Sequence, residues 1–335
     1  MMIDVTVVLV NDGYASTAIA PLEVFSSAGV LLNAFAGEAP QPQFQVQVAS
    51  VDGRPVQSAH QLAVSPQTSI AEIEKTDLIV VSAIGLDVDG AIAAHRPLLD
   101  WLCQWNARGA GVAAACAGVS FLAEAGLLDG RRGTTHWALA QEFAQRYPKV
   151  DWRPEAFITE DEGVYCGGGI YGVIDLSLYL VEKFCGHDIA LDCARSMLVE
   201  MPRVNQAGFA VLPLSSRHDD PAIRKAEEWL HTHFREEVRL EALAAQLGMS
   251  PRNFERRFKA ATGMKARSYL QALRIATARR LLEEGARSVQ QVGSTVGYDD
   301  ATHFRALFKR HTGLTPAAYR ARFGRTGESL PAERG

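Results

Sequence analysis

One helical pattern is written twice in the last third of the chain, and it limits the possible folds more than any other feature. The first copy is LEALAAQLGMSPRNFERRFKAATGMKARSYL and the second is SVQQVGSTVGYDDATHFRALFKRHTGLTPAAYR. Phe254, Phe258, Lys259, Thr262, Gly263 and Tyr269 map onto Phe304, Phe308, Lys309, Thr312, Gly313 and Tyr319 at a constant offset of 50. Upstream the offset is 49, taking Leu243, Leu247 and Gly248 onto Val292, Val296 and Gly297. Each copy reads as a short helix, a turn at Gly, a second helix and a Gly stop, which is the helix-turn-helix arrangement.

The residue types fit their places in that arrangement. Leu243, Ala244 and Leu247 form the inner face of the first helix, and Gly248 supplies the positive φ of the turn. Ser250 caps the next helix, and Phe254 and Phe258, four apart, bury one of its faces. The other face carries Arg252, Asn253, Glu255, Arg256 and Lys259, suited to phosphates and base edges. In the second copy Asp300 caps, Phe304 and Phe308 are buried, and Thr302, His303, Arg305 and Lys309 are exposed. The long helix ARSYLQALRIATARRLLEEG (266–285) holds the two units apart. Two rigidly held helices of this kind would enter successive major grooves of double-stranded DNA, roughly 34 Å apart.

Charge agrees. Residues 1–216 carry 12 Lys+Arg against 24 Asp+Glu, and residues 217–335 carry 22 against 14. An acidic body with a basic tail points the tail toward a polyanion. The alternative is an all-helical interaction domain with a solvated basic face.

The first part of the chain alternates strands and helices. IDVTVVLV (3–10) is a β-branched run expected of a central parallel strand. One helix from about Thr17 to Ala36 is predicted next, then strands FQVQVASV (44–51) and DLIVVS (77–82). PLLDWLCQWNAR (97–108) reads as helix, GVAAA (111–115) as strand, FITEDEGVYC as a hairpin and IDLSLYLVEKFCG as an amphipathic helix. This predicts a three-layer α/β sandwich, flavodoxin-like, followed by an all-α domain of seven helices. The expected boundaries are 1–200 for the α/β domain, 201–220 for a linker, 221–325 for the helical domain and 326–335 for a disordered tail. No apolar run reaches membrane-spanning length, and MMIDVTVVLVNDG lacks the features of a signal peptide. Five cysteines without metal-ligand spacing or a disulfide framework fit a reducing cytoplasm, with no metal or cofactor.

The chemistry of the α/β domain centres on GVAAACAGVSFLAEAGLLDG (111–130). A strand ends, Cys116 stands at the turn, and a helix begins, as in a nucleophile elbow. The helix start is expected to lower the Cys116 pKa, and His136 in GTTHW is placed to approach it. An inert small residue at a tight turn is the alternative for Cys116, and a structural hydrogen bond is the alternative for His136. Trp137 and Trp152 form either an aromatic wall for a cationic ligand or core. The glycines after Cys166 read as a backbone turn.

Residues 221–323 resemble the AraC/XylS family of transcription regulators, through RFKAATGMKARSYLQALRIATARRLL and VGYDDATHFRALFKRHTGLTPAAYR. The resemblance implies base reading by Arg252, Glu255 and Arg256, then by Ala301, Thr302 and Arg305. Gly293 stands where the family usually has Ala, which predicts a looser helix, and Ala306 where it often has Arg. Residues 3–200 resemble the class I glutamine amidotransferase-like superfamily of the PfpI type, through APLEVF, ACAGVSFLAEAGLLDGRRGTTHW and CGGGIYGVIDLSLYLVEKFCG. The fusion resembles the GlxA-like group of regulators. That implies a small-molecule effector that is bound without turnover, because the usual His after the Cys is Ala117, the Gly-Gly loop is reduced to Gly85 in SAIGLDVD, and the usual carboxylate is replaced by Thr17. The pocket is expected to be lined by Thr17, Ile84, Gly85, Leu86, Cys116, Ala117, His136 and Trp137. Resemblance further implies a homodimer, an activator role and contact with RNA polymerase, with a nitrogen-containing metabolite as effector. Two alternatives stay open: a Cys116–His136 hydrolase or isonitrile-hydratase-like enzyme with a DNA-binding tail, and a redox sensor acting through Cys116.

Overall fold

The computed structural model describes residues 2–203, 206, 218–285 and 287–324. Most of the expected linker and the whole tail at 326–335 lie outside the described residues. The chain forms two compact units, Met1–Gln206 and Ala207–Gly335.

The first unit is built on strands β1 (Ile3–Val8), β2 (Phe44–Ser50), β3 (Val56–Gln57), β4 (Ala63–Val64), β5 (Thr68–Ser69), β6 (Leu78–Val81), β7 (Gly111–Ala115), β8 (Arg132–Gly133), β9 (Asp151–Trp152), β10 (Ile158–Asp161) and β11 (Val164–Gly167). Seven of them form one sheet in the order β10-β11-β7-β6-β1-β2-β5. All its pairings are parallel except β10 with β11, which turn back at Glu162 and Gly163, both with positive φ. Its helices are α1 (Ser16–Ser27), α2 (Leu31–Ala36), α3 (Val88–Ala94), α4 (Arg96–Ala107), α5 (Val119–Glu124), α6 (Ala140–Arg146), α7 (Gly172–Cys185) and α8 (His187–Ser196).

Strand alternation explains the layering. Val5, Val7 and Leu9 enter a core with residues of α1, α7 and α8, while Val8 and Val10 enter a second core with residues of α3, α4 and α5. Both faces of the sheet are therefore covered, the condition for a parallel sheet to be stable. Each fully buried Val, Leu or Phe contributes about 1.5–3 kcal/mol. The single helix predicted from Thr17 to Ala36 is instead two. Gly29 breaks it with φ +72°, and a Cβ there would fall 2.2 Å from the Gln41 carbonyl.

The second unit is helical: α9 (Pro221–His233), α10 (Leu240–Gln246), α11 (Pro251–Thr262), α12 (Ala266–Glu283), α13 (Val289–Thr295), α14 (Ala301–Thr312) and α15 (Pro316–Phe323). Helices α10 and α11 form the first helix-turn-helix, and α13 and α14 the second. Gly248 and Gly297 take φ of +69° and +86° in the turns.

Candidate DNA interface and effector pocket

The two second helices, α11 and α14, start from side-chain caps. Ser250 Oγ accepts the Asn253 N–H at 3.3 Å, and Asp300 accepts the N–H groups of Thr302 and His303 at 2.7 and 3.2 Å. Phe254 and Phe258 are buried on α11, and Phe304 and Phe308 on α14. The spacing of these rings turns the opposite face outward. Arg252, Arg256 and Lys259 are exposed there, with Asn253 and Glu255 partly so. Arg256 donates to Asn253 Oδ1 at 2.9 Å. On α14, Thr302, His303, Arg305 and Lys309 are exposed and Ala301 partly so. Arg257 points elsewhere and is bound to Asp220, the cap of α9.

Two details of the second half go beyond the sequence reading. Leu307 joins Phe304 and Phe308 in the core, widening the buried face of α14. Gly293 lies within α13. It is buried, and a Cβ there would meet the Phe304 ring at 3.1 Å, so glycine lets α13 and α14 approach closely.

In the first unit, Cys116 follows β7 with φ +53°, the strained conformation of an elbow. Its side chain is buried, and burial pushes the thiol up to about 11, only partly offset by the Ala117 N–H. This corrects the expected lowering. The helix that follows the turn is only Val119–Glu124, and the loss of water outweighs its field. The His136 ring packs on Trp137, with centroids 5.2 Å apart. Its Nδ1 accepts the Ala138 N–H at 3.1 Å, which leaves the proton on Nε2. Burial also lowers the His136 pKa, so it disfavours the charged form of both side chains. Among the described hydrogen bonds none joins the two side chains. What does join their segments is Thr135, whose hydroxyl donates to the Cys116 carbonyl at 2.8 Å.

The remaining expected pocket residues are not all gathered there. Thr17 is fully buried, donates to the Tyr14 carbonyl at 2.6 Å and accepts the Ala83 N–H at 2.8 Å. These bonds tie the loop after β1 to the loop after β6, at the point where the strand order reverses and α/β proteins usually bind ligands. The Thr17 hydroxyl is thus committed to the fold. Ile84 is a core residue, Leu86 is exposed, and Gly85 lies with its Cα side against the Asp12 carbonyl. Ala117 is buried in the core at the elbow. The group that does converge is Cys116, the Thr135–Trp137 segment and Gly169, whose added Cβ would lie 3.7 Å from the His136 ring. Trp152 packs against the core instead of forming a wall with Trp137.

The sequence reading missed two further interactions, of which the second touches this group. Asp175, buried at the start of α7, accepts from the Arg203 guanidinium at 3.0 Å and from its backbone N–H at 2.7 Å. Gln206 is 2% exposed, and its Nε2 donates to the Thr135 carbonyl at 2.7 Å, the Ala156 carbonyl at 3.1 Å and Thr134 Oγ1 at 3.2 Å. Its carboxamide lies over Gly168, where a Cβ would sit 2.5 Å from Oε1. The glycine run after Cys166 was the available signal, and its middle member, Gly168, admits this side chain.

No helix among the described residues is long and apolar enough to cross a membrane. Residues 5–183 match the DJ-1/PfpI family, and residues 243–322 match a helix-turn-helix domain. The HTH-type transcriptional regulator ArgR of Pseudomonas aeruginosa is 31% identical over 262 residues, covering 76% of this chain and 79% of that protein. The HTH-type transcriptional regulator GlxA of Rhizobium meliloti is 28% identical over 288 residues, covering 85% and 87%. The crystal structure of Drosophila melanogaster DJ-1beta superposes with a TM-score of 0.51 at 21% identity, covering 60% of this chain and 100% of that one, a likeness of fold. With an α/β unit of that fold and two capped, outward-facing basic helices after it, the chain belongs to the DJ-1/PfpI family in its fusion with an AraC-type helix-turn-helix domain, and is a DNA-binding transcription regulator.

Proposed function

We propose that the first unit senses a small nitrogen-containing metabolite without turning it over, and that the second unit reads promoter DNA with α11 and α14. The observation that carries the reading is the geometry of the elbow: Cys116 is buried, and the one described hydrogen bond of the His136 ring is to the Ala138 N–H. Cysteine hydrolysis needs a thiolate and a base in reach. Here burial favours the thiol form of Cys116 and disfavours a charged His136, and no described hydrogen bond joins them. A ligand at the elbow would lie beside the Thr135–Trp137 segment, which the Thr135 hydroxyl ties to Cys116. The same burial counts against a redox sensor, which needs an accessible thiolate. Sequence reading is assigned to Arg252, Asn253, Glu255, Arg256 and Lys259 in the first half, and to Ala301, Thr302, His303, Arg305 and Lys309 in the second. The working protein is a cytoplasmic homodimer that activates transcription with RNA polymerase, as in the family it resembles.

Measurements on the full chain test this. Binding to duplex DNA should be sequence-preferring and should weaken steeply as salt rises. A thermal-shift screen of amino acids, amines and betaines should return a compound that raises the melting temperature. A Cys116→Ala variant should keep its DNA response to that compound. Turnover of an amide or nitrile that vanishes in Cys116→Ala would replace this reading with the enzyme.

A further inference from the structure

The second unit does not have one core but two, and they divide on α12. Leu273 belongs to the core of the first helix-turn-helix and Ile275 to that of the second. Between them stands Arg274. Its Nε donates to the Phe234 carbonyl at 2.7 Å and its Nη2 to the Glu236 carbonyl at 2.8 Å, both just beyond the end of α9 in the first half. Its Nη1 donates to the Gly297 carbonyl at 3.1 Å, in the turn of the second half. The guanidinium also lies 5.1 Å from the centre of the Tyr298 ring. The backbones touch at the same place, since a Cβ on Gly297 would fall 2.7 Å from the Arg235 carbonyl.

We infer that Arg274 is a positioning residue for DNA reading: it sets the spacing and phase of α11 and α14. Separate cores leave the angle between the halves to α12 and to whatever bridges them. An 18-residue helix is roughly 27 Å long, so a tilt of about 10° moves its far end by about 5 Å. That exceeds the rise of one base pair, about 3.4 Å. A planar guanidinium can serve three carbonyls and an aromatic face at once, which a lysine ammonium cannot.

The inference rests on the reading that both halves enter DNA, and the wild-type arm tests that reading by itself. The full chain is used to select duplexes from a random library, and the spacing between enriched half-motifs is measured for wild type, Arg274→Ala and Arg274→Lys. Wild type should enrich two half-motifs at one spacing; a single motif would reject the two-helix reading. The variants should keep the base preferences within each half, accept a broader range of spacings, and bind the wild-type sequence about tenfold more weakly, the order of one mismatched base pair. If Arg274→Ala does not fold, Arg274→Lys decides. Unchanged spacing and affinity in a folded variant overturn the inference. So does loss of preference within the halves, which would mark Arg274 as a general support of the fold.

Discussion

A methyl group added at Gly168 should expel Gln206 from its socket. The new Cβ would lie 2.5 Å from Gln206 Oε1 and 2.7 Å from Cδ and Nε2, too close for the carboxamide to stay. Gly168 does not have the positive φ of Gly169, so alanine brings no backbone strain of its own. Gln206 Nε2 carries two hydrogens shared among three acceptors, which counts as two hydrogen bonds at about 1 kcal/mol each. Burial of its two methylenes adds about 1.5 kcal/mol, and the rotamer freedom regained on release takes back roughly the same. Gln206→Ala and Gly168→Ala should therefore each destabilise the first unit by about 2 kcal/mol. In a Gln206→Ala background, Gly168→Ala should be close to neutral, giving a coupling of about 2 kcal/mol. Four of the five tryptophans lie in the first unit. Urea unfolding followed by tryptophan fluorescence in a Trp229→Phe background thus reports on that unit alone. Additivity of the two substitutions to within about 0.5 kcal/mol would refute the socket.

The other predictions follow from the same geometry. Arg256→Ala should weaken binding to the preferred DNA by about tenfold or more, and Arg305→Ala by less, because exposed Ala306 occupies the place that corresponds to Arg256; titrations by fluorescence anisotropy in which Arg305→Ala costs more would reverse the ranking. With its thiol pushed up to about 11, Cys116 should react with iodoacetamide at pH 8 roughly tenfold more slowly than a thiol of the ordinary value of 9, the smaller thiolate fraction being partly offset by higher nucleophilicity. Peptide mapping should show Cys103 and Cys185, the two partly exposed cysteines, labelled first. The Asp220 carboxyl is held below its ordinary range, chiefly by its hydrogen bond from Arg257. Its stabilising effect is complete above the unfolded value of about 4 and is lost as pH falls through the lowered folded value. Asp220→Asn should flatten the pH dependence of the melting temperature in that acid window, and an unchanged profile would show that the pair contributes nothing measurable.

What the sequence revealed and what it hid divide along contact range. The helix-turn-helix pair was legible because its signals are local: a cap at Ser250, rings at Phe254 and Phe258, a glycine stop at Gly263. The elbow was legible because a strand, Cys116 and a helix follow one another directly. The fate of the thiol was not, since its burial depends on loops from other strands. Thr17 could be placed at the start of α1, but nothing local says that its hydroxyl is spent on Tyr14 and Ala83. Glycines behaved the same way. Those at 248 and 297 announce turns, whereas Gly168 and Gly293 each make room for a side chain outside their own element, Gln206 and Phe304.

The pairing of Asp175 with Arg203 bears on how the sensing unit can be moved. A fragment ended at residue 200 keeps a carboxylate whose side chain is 7% exposed and loses the guanidinium that neutralises it. It also loses Gln206 and opens a polar hole over Gly168. An uncompensated buried charge alone costs about 3–5 kcal/mol, a large share of what an ordinary domain has to spare. A graft of this sensor onto another DNA-binding tail should therefore be joined after Gln206, because the stretch that reads as a connector is still holding the first fold together.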